Sequence, residues 1–276
     1  MNKRNPYLPI LLSVMLVFIS LACGGNNNEH TTSYEEVQQE EVASNNEYDP
    51  CAGKLSENYQ GVFFCYPSFI ATSTNNYYVQ DEYSEMSEYF NTPSHVEFEF
   101  NRYAISPTFM TPALRVYPVS TYIAINSYTA ESISQLQSLL SSKPQHAENI
   151  PFLPQWEAAQ MFTSKVGYVA FSNGEGIRYI TQYGQDFWPI NNEDMFYTFQ
   201  GLTYDGQYYI SAVFPISNAV LPANGASYDG DINELAAAYD TYFTEMSVLL
   251  YNQDDYSFSP TIPDLDELIS TISINQ

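Results

Sequence analysis

Three cysteines, three histidines and 32 carboxylates are the side chains of this chain best equipped for chemistry. Two of the cysteines, Cys51 and Cys65, stand close together in sequence. In an oxidising compartment an even pair of this kind is expected to form a disulfide. The loop it closes is short, and the bridge would contribute roughly 3 kcal/mol by the chain-entropy estimate. A metal site or a catalytic thiol at these positions would need a histidine partner. His30, His95 and His146 lie near neither cysteine of the pair, and no two of them are close in sequence. The chain carries no G-x-S-x-G, no P-loop and no H-E-x-x-H motif. No metal, no cofactor and no catalytic residue is therefore assigned.

Four further groups invite a chemical reading. Gly174-Glu175-Gly176 resembles a phosphate loop in composition, but it puts a carboxylate where a phosphate would sit, and hairpin geometry accounts for its glycines. Asp229, Asp231, Asn233 and Asp240 have the spacing of a calcium loop, but Glu234 stands where such a loop needs glycine. Asp231 serves equally as a helix cap. Arg178 is a candidate binding residue, because its fork suits an anionic group. With so many acids in the chain, pairing with a carboxylate is the plainer expectation for it. The 25 tyrosines could form a stacking surface for sugars; the plainer expectation is that they fill strand faces.

These residues need elements to position them. Tyr59–Tyr66 reads as a strand, Asn75–Gln80 as a weaker one, and His95–Arg102 alternates Val96, Phe98 and Phe100 against His95, Glu97, Glu99 and Asn101. Leu114–Val119 is a further strand and Glu131–Ser142 a helix stopped by Pro144. Two hairpins follow: Val166–Phe171 with Ile177–Tyr183 around residues 172–176, and Met195–Thr203 with Gln207–Phe214 around Asp205-Gly206. A long helix is expected from Asp231, with Ile232, Leu235, Tyr239, Phe243, Met246 and Leu250 among its core positions. Asp264 is expected to cap a last helix bearing Leu265, Leu268, Ile269 and Ile272. Hairpins with helices set apart from them predict an α+β domain built on a mostly antiparallel sheet.

The charge balance excludes one class of partner. Eight Lys and Arg face 32 Asp and Glu, a formal charge of −24. A nucleic-acid binder needs a basic stripe, and the chain has none. The N-terminus supplies an address instead. Lys3 and Arg4 precede an apolar run from Leu8 to Leu21, and Ala22 precedes Cys23. Such zones describe a secretory signal peptide, too short for a comfortable membrane span.

Ser20-Leu21-Ala22-Cys23 resembles the lipobox of bacterial lipoproteins, with Ser20 where leucine is usual. That resemblance implies lipid on Cys23, with palmitate-type acyl chains, and an anchor on the extracytoplasmic side of the cell membrane. Gly24 to Asp49 is poor in large aliphatic residues and reads as a flexible tether spanning roughly 30 Å. The expected organisation is therefore a signal peptide at 1–22, a lipidated tether at 23–54 and a single α+β domain at 55–276.

Gly61-Val-Phe-Phe-Cys-Tyr-Pro-Ser68 resembles the opening of PsbP-like domains, and Leu265-Asp-Glu-Leu-Ile269 resembles their terminal helix. Gly176–Tyr183 and Phe199–Thr203 look like phrases of uncharacterised bacterial lipoproteins with this layout. The resemblance implies an α/β/α sandwich and a docking or assembly role, and names no catalytic residue. The leading expectation is thus a non-enzymatic, membrane-anchored module that docks a protein or envelope component. A glycan- or small-molecule-binding lipoprotein is the alternative, and a carboxylate-based hydrolase comes third.

Overall fold

The structure, a computed structural model, describes residues 49–106, 108–145, 147 and 149–275. Cys23, the leader, nearly all of the tether, His30 and His146 lie outside the described residues.

In chain order the elements are β1 (Leu55–Tyr59), β2 (Val62–Tyr66), β3 (Ser73–Val79), β4 (His95–Asn101), β5 (Ala113–Pro118), α1 (Val119–Ile125) and α2 (Thr129–Ser142). They continue with β6 (Ala159–Phe171), β7 (Gly174–Gly184), β8 (Phe196–Thr203), β9 (Tyr208–Pro215), β10 (Ser217–Asn218), α3 (Ile232–Ala237), α4 (Tyr239–Tyr251), β11 (Phe258–Ser259), α5 (Ile262–Ser270) and β12 (Ser273–Ile274). Seven strands form one antiparallel sheet in the order β3-β4-β5-β9-β8-β7-β6. A three-stranded sheet, β1-β2-β12, and the short pair β10-β11 complete the β structure. The domain is α+β, with its main sheet packed against helices.

Strand alternation divides the interior into two cores. On β7, Ile177 and Tyr179 join α1, α2 and the segment from Ile150 to Leu153. Ile180 points the other way, into a core shared with β2, α4 and α5. On β8, Phe196 belongs to the first core, and Tyr197 and Phe199 to the second. Val96, Phe98 and Phe100 of β4 lie in the second core, as their period of two requires. Burying each such side chain contributes about 1.5–3 kcal/mol.

Several expected elements take a different form. Tyr59–Tyr66 is a hairpin rather than one strand: Gln60 and Gly61 both have positive φ (48° and 72°) and turn the chain between β1 and β2. A two-residue turn with both central residues left-handed matches the strand twist. The hairpin between β6 and β7 turns on Ser172-Asn173 alone, because Phe171 pairs with Gly174. Gly174 and Gly176 are therefore strand residues, not turn residues. Each is glycine because an aromatic ring lies across it; a Cβ would strike the ring of Phe171 at Gly174 and of Phe199 at Gly176.

The long helix is two helices. Asp231 does cap α3, its carboxylate accepting from the Asn233 amide. The chain leaves helical geometry at Ala238 (φ −129°, ψ 27°) before α4. The break leaves Ile232 and Tyr239 at the surface rather than in the core. Thr261, not Asp264, caps α5: its Oγ1 accepts from the Asp264 amide at 3.2 Å. Helix α1 and strand β12, which pairs with β2, have no counterpart in the sequence reading.

Candidate functional site

The two cysteines near the start of the domain are joined. Cys51 and Cys65 form a disulfide across Cα atoms 5.5 Å apart, tying the segment before β1 to β2. Beside it, Thr271 at the end of α5 accepts from the Cys65 amide at 2.9 Å, so the opening hairpin and the last helix are fastened together.

Arg178 lies mid-strand on β7, opposite Gly167 of β6. Gly167 leaves room for the guanidinium, since a Cβ there would stand 2.8 Å from Arg178 Cζ. Arg178 Nε reaches Asp266 on α5 at 3.3 Å, and its Nη1 donates to the Lys165 carbonyl. Tyr197 donates its hydroxyl to the same Asp266 at 2.9 Å. Burial raises the Asp266 carboxyl above its ordinary value, although Arg178 and Tyr197 pull it down. The fork of Arg178 is thus occupied by groups of its own chain, and its side chain is only 13 % exposed. Lys165 is engaged likewise, donating to Gln253 O at 2.5 Å and Asp255 at 2.6 Å.

A second charged cluster was invisible in sequence. Register sets Glu97 of β4 directly across from Arg115 of β5. Arg115 donates Nε to Glu97 Oε2 at 2.8 Å and Nη2 to Oε1 at 3.1 Å, a bidentate pair. His95 Nε2 lies 3.4 Å from the same carboxylate, and its ring packs on Tyr117 with centroids 4.4 Å apart. Burial pushes the Glu97 carboxyl up, but the His95 hydrogen bond and the Arg115 guanidinium outweigh it and hold it at about 2. A carboxylate so acidic and so fully bonded is a poor general base. The cluster borders a cavity of about 490 Å³, but its chemistry is that of a structural clamp between strands.

The site with groups left over lies elsewhere. A cleft of about 800 Å³ opens where β6 begins and β7 ends, and α4 forms its other wall. Gln160 and Thr163 come from the strand side, Asp186 and Phe187 from the segment after β7, and Tyr239 and Asp240 from the first turn of α4. The Phe187 and Tyr239 rings stand 4.5 Å apart by centroid, and 45 % and 37 % of these residues are exposed. Neither Asp186 nor Asp240 has a side-chain partner among the described residues. The cleft therefore offers ring faces, carboxamides, hydroxyls and two free carboxylates, but no cation. Sequence carried no signal for it: the break before Tyr239 falls in Leu235-Ala-Ala-Ala-Tyr239, where neither Gly nor Pro interrupts the helical period.

Of the calcium-spaced residues, Asp231 is engaged in capping and Asp240 lines this cleft. Among the described residues, no group of three or more His, Cys, Asp or Glu is placed to hold a metal ion. No described helix is long and apolar enough to cross a membrane. Neither models of protein families nor curated protein sequences give a match to this chain.

Proposed function

We propose that this protein is a membrane-anchored extracytoplasmic lipoprotein whose folded domain is a non-enzymatic docking module for an envelope component. The address rests on the charged leader, the apolar run and Cys23 in the sequence. The docking role rests on a single observation: the cleft between the β6–β7 end and α4 presents half-exposed aromatic rings beside neutral amides and hydroxyls. Concave sites of that make-up bind by contact area and orient by a few polar groups. A PsbP-like layout is the finer reading of the fold. It is supported by the Phe64-Cys-Tyr-Pro-Ser68 phrase at the end of β2, by helices packed on both faces of the sheet, and by a terminal helix docked on the opening hairpin.

A photo-crosslinking residue at Phe187, with Tyr204 as control, tests this reading in cells. Tyr204 is 69 % exposed and sits at the tip of the β8–β9 hairpin, at the opposite end of these strands. The expected result is an envelope adduct from position 187 alone, in a protein that partitions into detergent and loses that behaviour as Cys23→Ser. Equal adducts from both positions, or a wild-type protein that stays in the aqueous phase, would remove the proposal.

A further inference from the structure

The cleft does not end at the sheet edge. The pair Ala159–Gly184 closes the β6–β7 ladder. Gly184 and Gln185 line the cleft on the α4 side and also a second depression of about 490 Å³ on the opposite side of the ladder's end. That second depression is walled by Trp156 and Tyr183, which also line a third, of about 370 Å³, reaching Tyr128 on the rim of α2. The three hollows thus share lining residues in sequence and follow one another around the end of two strands. Gln185 reinforces the junction by donating to the Glu157 carbonyl at 2.8 Å.

Trp156 is held firmly in this path. Its ring meets Phe152, Tyr183 and Phe196 at centroid separations of 4.6, 5.3 and 5.6 Å. The connector before it is docked on the sheet, because Leu153 donates its amide to the buried Gln200 at 3.0 Å. A ring fixed by packing loses little freedom when a ligand stacks on it. Beyond it, Tyr89 and Tyr128 form another pair 5.2 Å apart, 36 % and 49 % exposed. Aromatic faces therefore recur along the path, at Phe187–Tyr239, at Trp156 and at Tyr128.

The polar lining sets the chemistry of the occupant. Asp186, Asp240, Glu157 and Glu131 lie along the three hollows, and no Lys or Arg lines any of them. In a chain of formal charge −24 this repels anions. Between the carboxylates stand Gln160, Gln185, Gln155, Gln135 and Asn149, side chains that donate and accept at once, as a ring of vicinal hydroxyls does. Flat C–H faces on stacked rings and hydroxyls on amides and carboxylates are the two halves of sugar recognition.

We infer that the groove from Phe187 through Gln185 and Trp156 to Tyr128 binds an extended, uncharged, β-linked polysaccharide chain. The inference rests on the docking reading and specifies its ligand. β-Linked pyranose rings offer C–H faces to both sides, which suits aromatic rings met in succession along the groove.

The test is titration calorimetry of the whole lipidated protein in detergent with two neutral ladders, β-1,4-linked glucose and β-1,4-linked N-acetylglucosamine, each from disaccharide to hexasaccharide. The expected result is affinity that rises about tenfold or more with chain length in at least one ladder, as added stacking contacts predict. Phe187→Ala should weaken every member. Trp156→Ala should remove about a tenfold gain from the hexasaccharide and leave the disaccharide unchanged within about twofold. Because Trp156 is also packed, Tyr128→Ala at the exposed end provides a second variant with the same expected pattern, and the melting temperature is recorded for each. Affinity that does not grow with length, and loss only with Phe187→Ala, would overturn the extended groove while leaving the cleft reading intact. Silence of both ladders would overturn the sugar assignment. Binding of a lysine-rich peptide in their place would give the groove to a cationic chain.

Discussion

Glu97→Gln isolates the clamp between β4 and β5. The carboxyl sits at about 2 in the folded chain against an ordinary 4.5. At about 1.36 kcal/mol per unit the difference amounts to about 3 kcal/mol of stability at neutral pH. Because the folded value is depressed, that stability is complete above pH 4.5 and is lost as pH falls towards 2. By pH 3, linkage removes about 2 kcal/mol of it. The assay is urea unfolding of wild type and variant from pH 7 to pH 3, comparing the change in stability rather than its absolute value, since other carboxylates titrate equally in both. Wild type should lose about 2 kcal/mol more than the variant over this range. At pH 7 the variant itself should be weaker by roughly 3–5 kcal/mol, because Arg115 keeps its burial and loses its bidentate partner. The double variant Glu97→Gln, Arg115→Met should recover part of that loss. Parallel pH dependences for wild type and Glu97→Gln would refute the reasoning, since the carboxylate would then gain nothing from His95 and Arg115 on folding.

Other expectations follow from single contacts. Replacing Cys51 and Cys65 together with serine should cost about 3 kcal/mol in denaturant unfolding, from the loop the bridge closes. Arg178→Ala should cost about 2 kcal/mol at pH 7 and less at pH 4, because Asp266, already raised by burial, then takes up a proton more readily and sheds its unpaired charge. An equal cost at both pH values would show that Asp266 is not the partner that matters. Gly176→Ala should cost about 1–3 kcal/mol by thermal unfolding, since its Cβ would displace the Phe199 ring inside the sheet.

What the sequence made legible was whatever depends on local period. The alternation of Val96, Phe98 and Phe100 and the amphipathic face Leu265, Leu268 and Ile269 both correspond to buried surfaces. What stayed hidden depends on partners far along the chain. Ser172-Asn173 and not Asn173-Gly174 makes the turn because Gly174 must pass beneath Phe171 and pair with Thr203, a register no local window contains. Glu97 and Arg115 meet only because β4 and β5 are neighbours, and 18 residues separate them. The opening hairpin was missed because Gln60-Gly61 lies inside one apolar, aromatic run, and Gln is an unusual residue at positive φ. The tyrosines divide as their sites dictate: Tyr117, Tyr179, Tyr197 and Tyr209 fill strand faces, while Tyr239 and Tyr128 remain at the surface of helical segments.

That division bears on where the groove can be. Arg178, the binding candidate of the sequence, and with it Lys165 and Arg115, are each bonded to carboxylates within the fold. Taking them into the sheet leaves its outer end without cations and its acids unpaired. The same step is what separates the hollows around Gln185 from the stabilising network. Asp186, Asp240 and the exposed rings beside them touch neither ion-pair cluster, so they can change without unfolding the sheet. A surface built that way holds its ligand by ring faces and hydrogen bonds and makes no use of the arginine. Arg178→Ala should therefore leave oligosaccharide affinity within about twofold, at a temperature well below the variant's melting point, while Phe187→Ala lowers it. Loss of affinity in Arg178→Ala would return the binding role to the arginine and take it from the cleft.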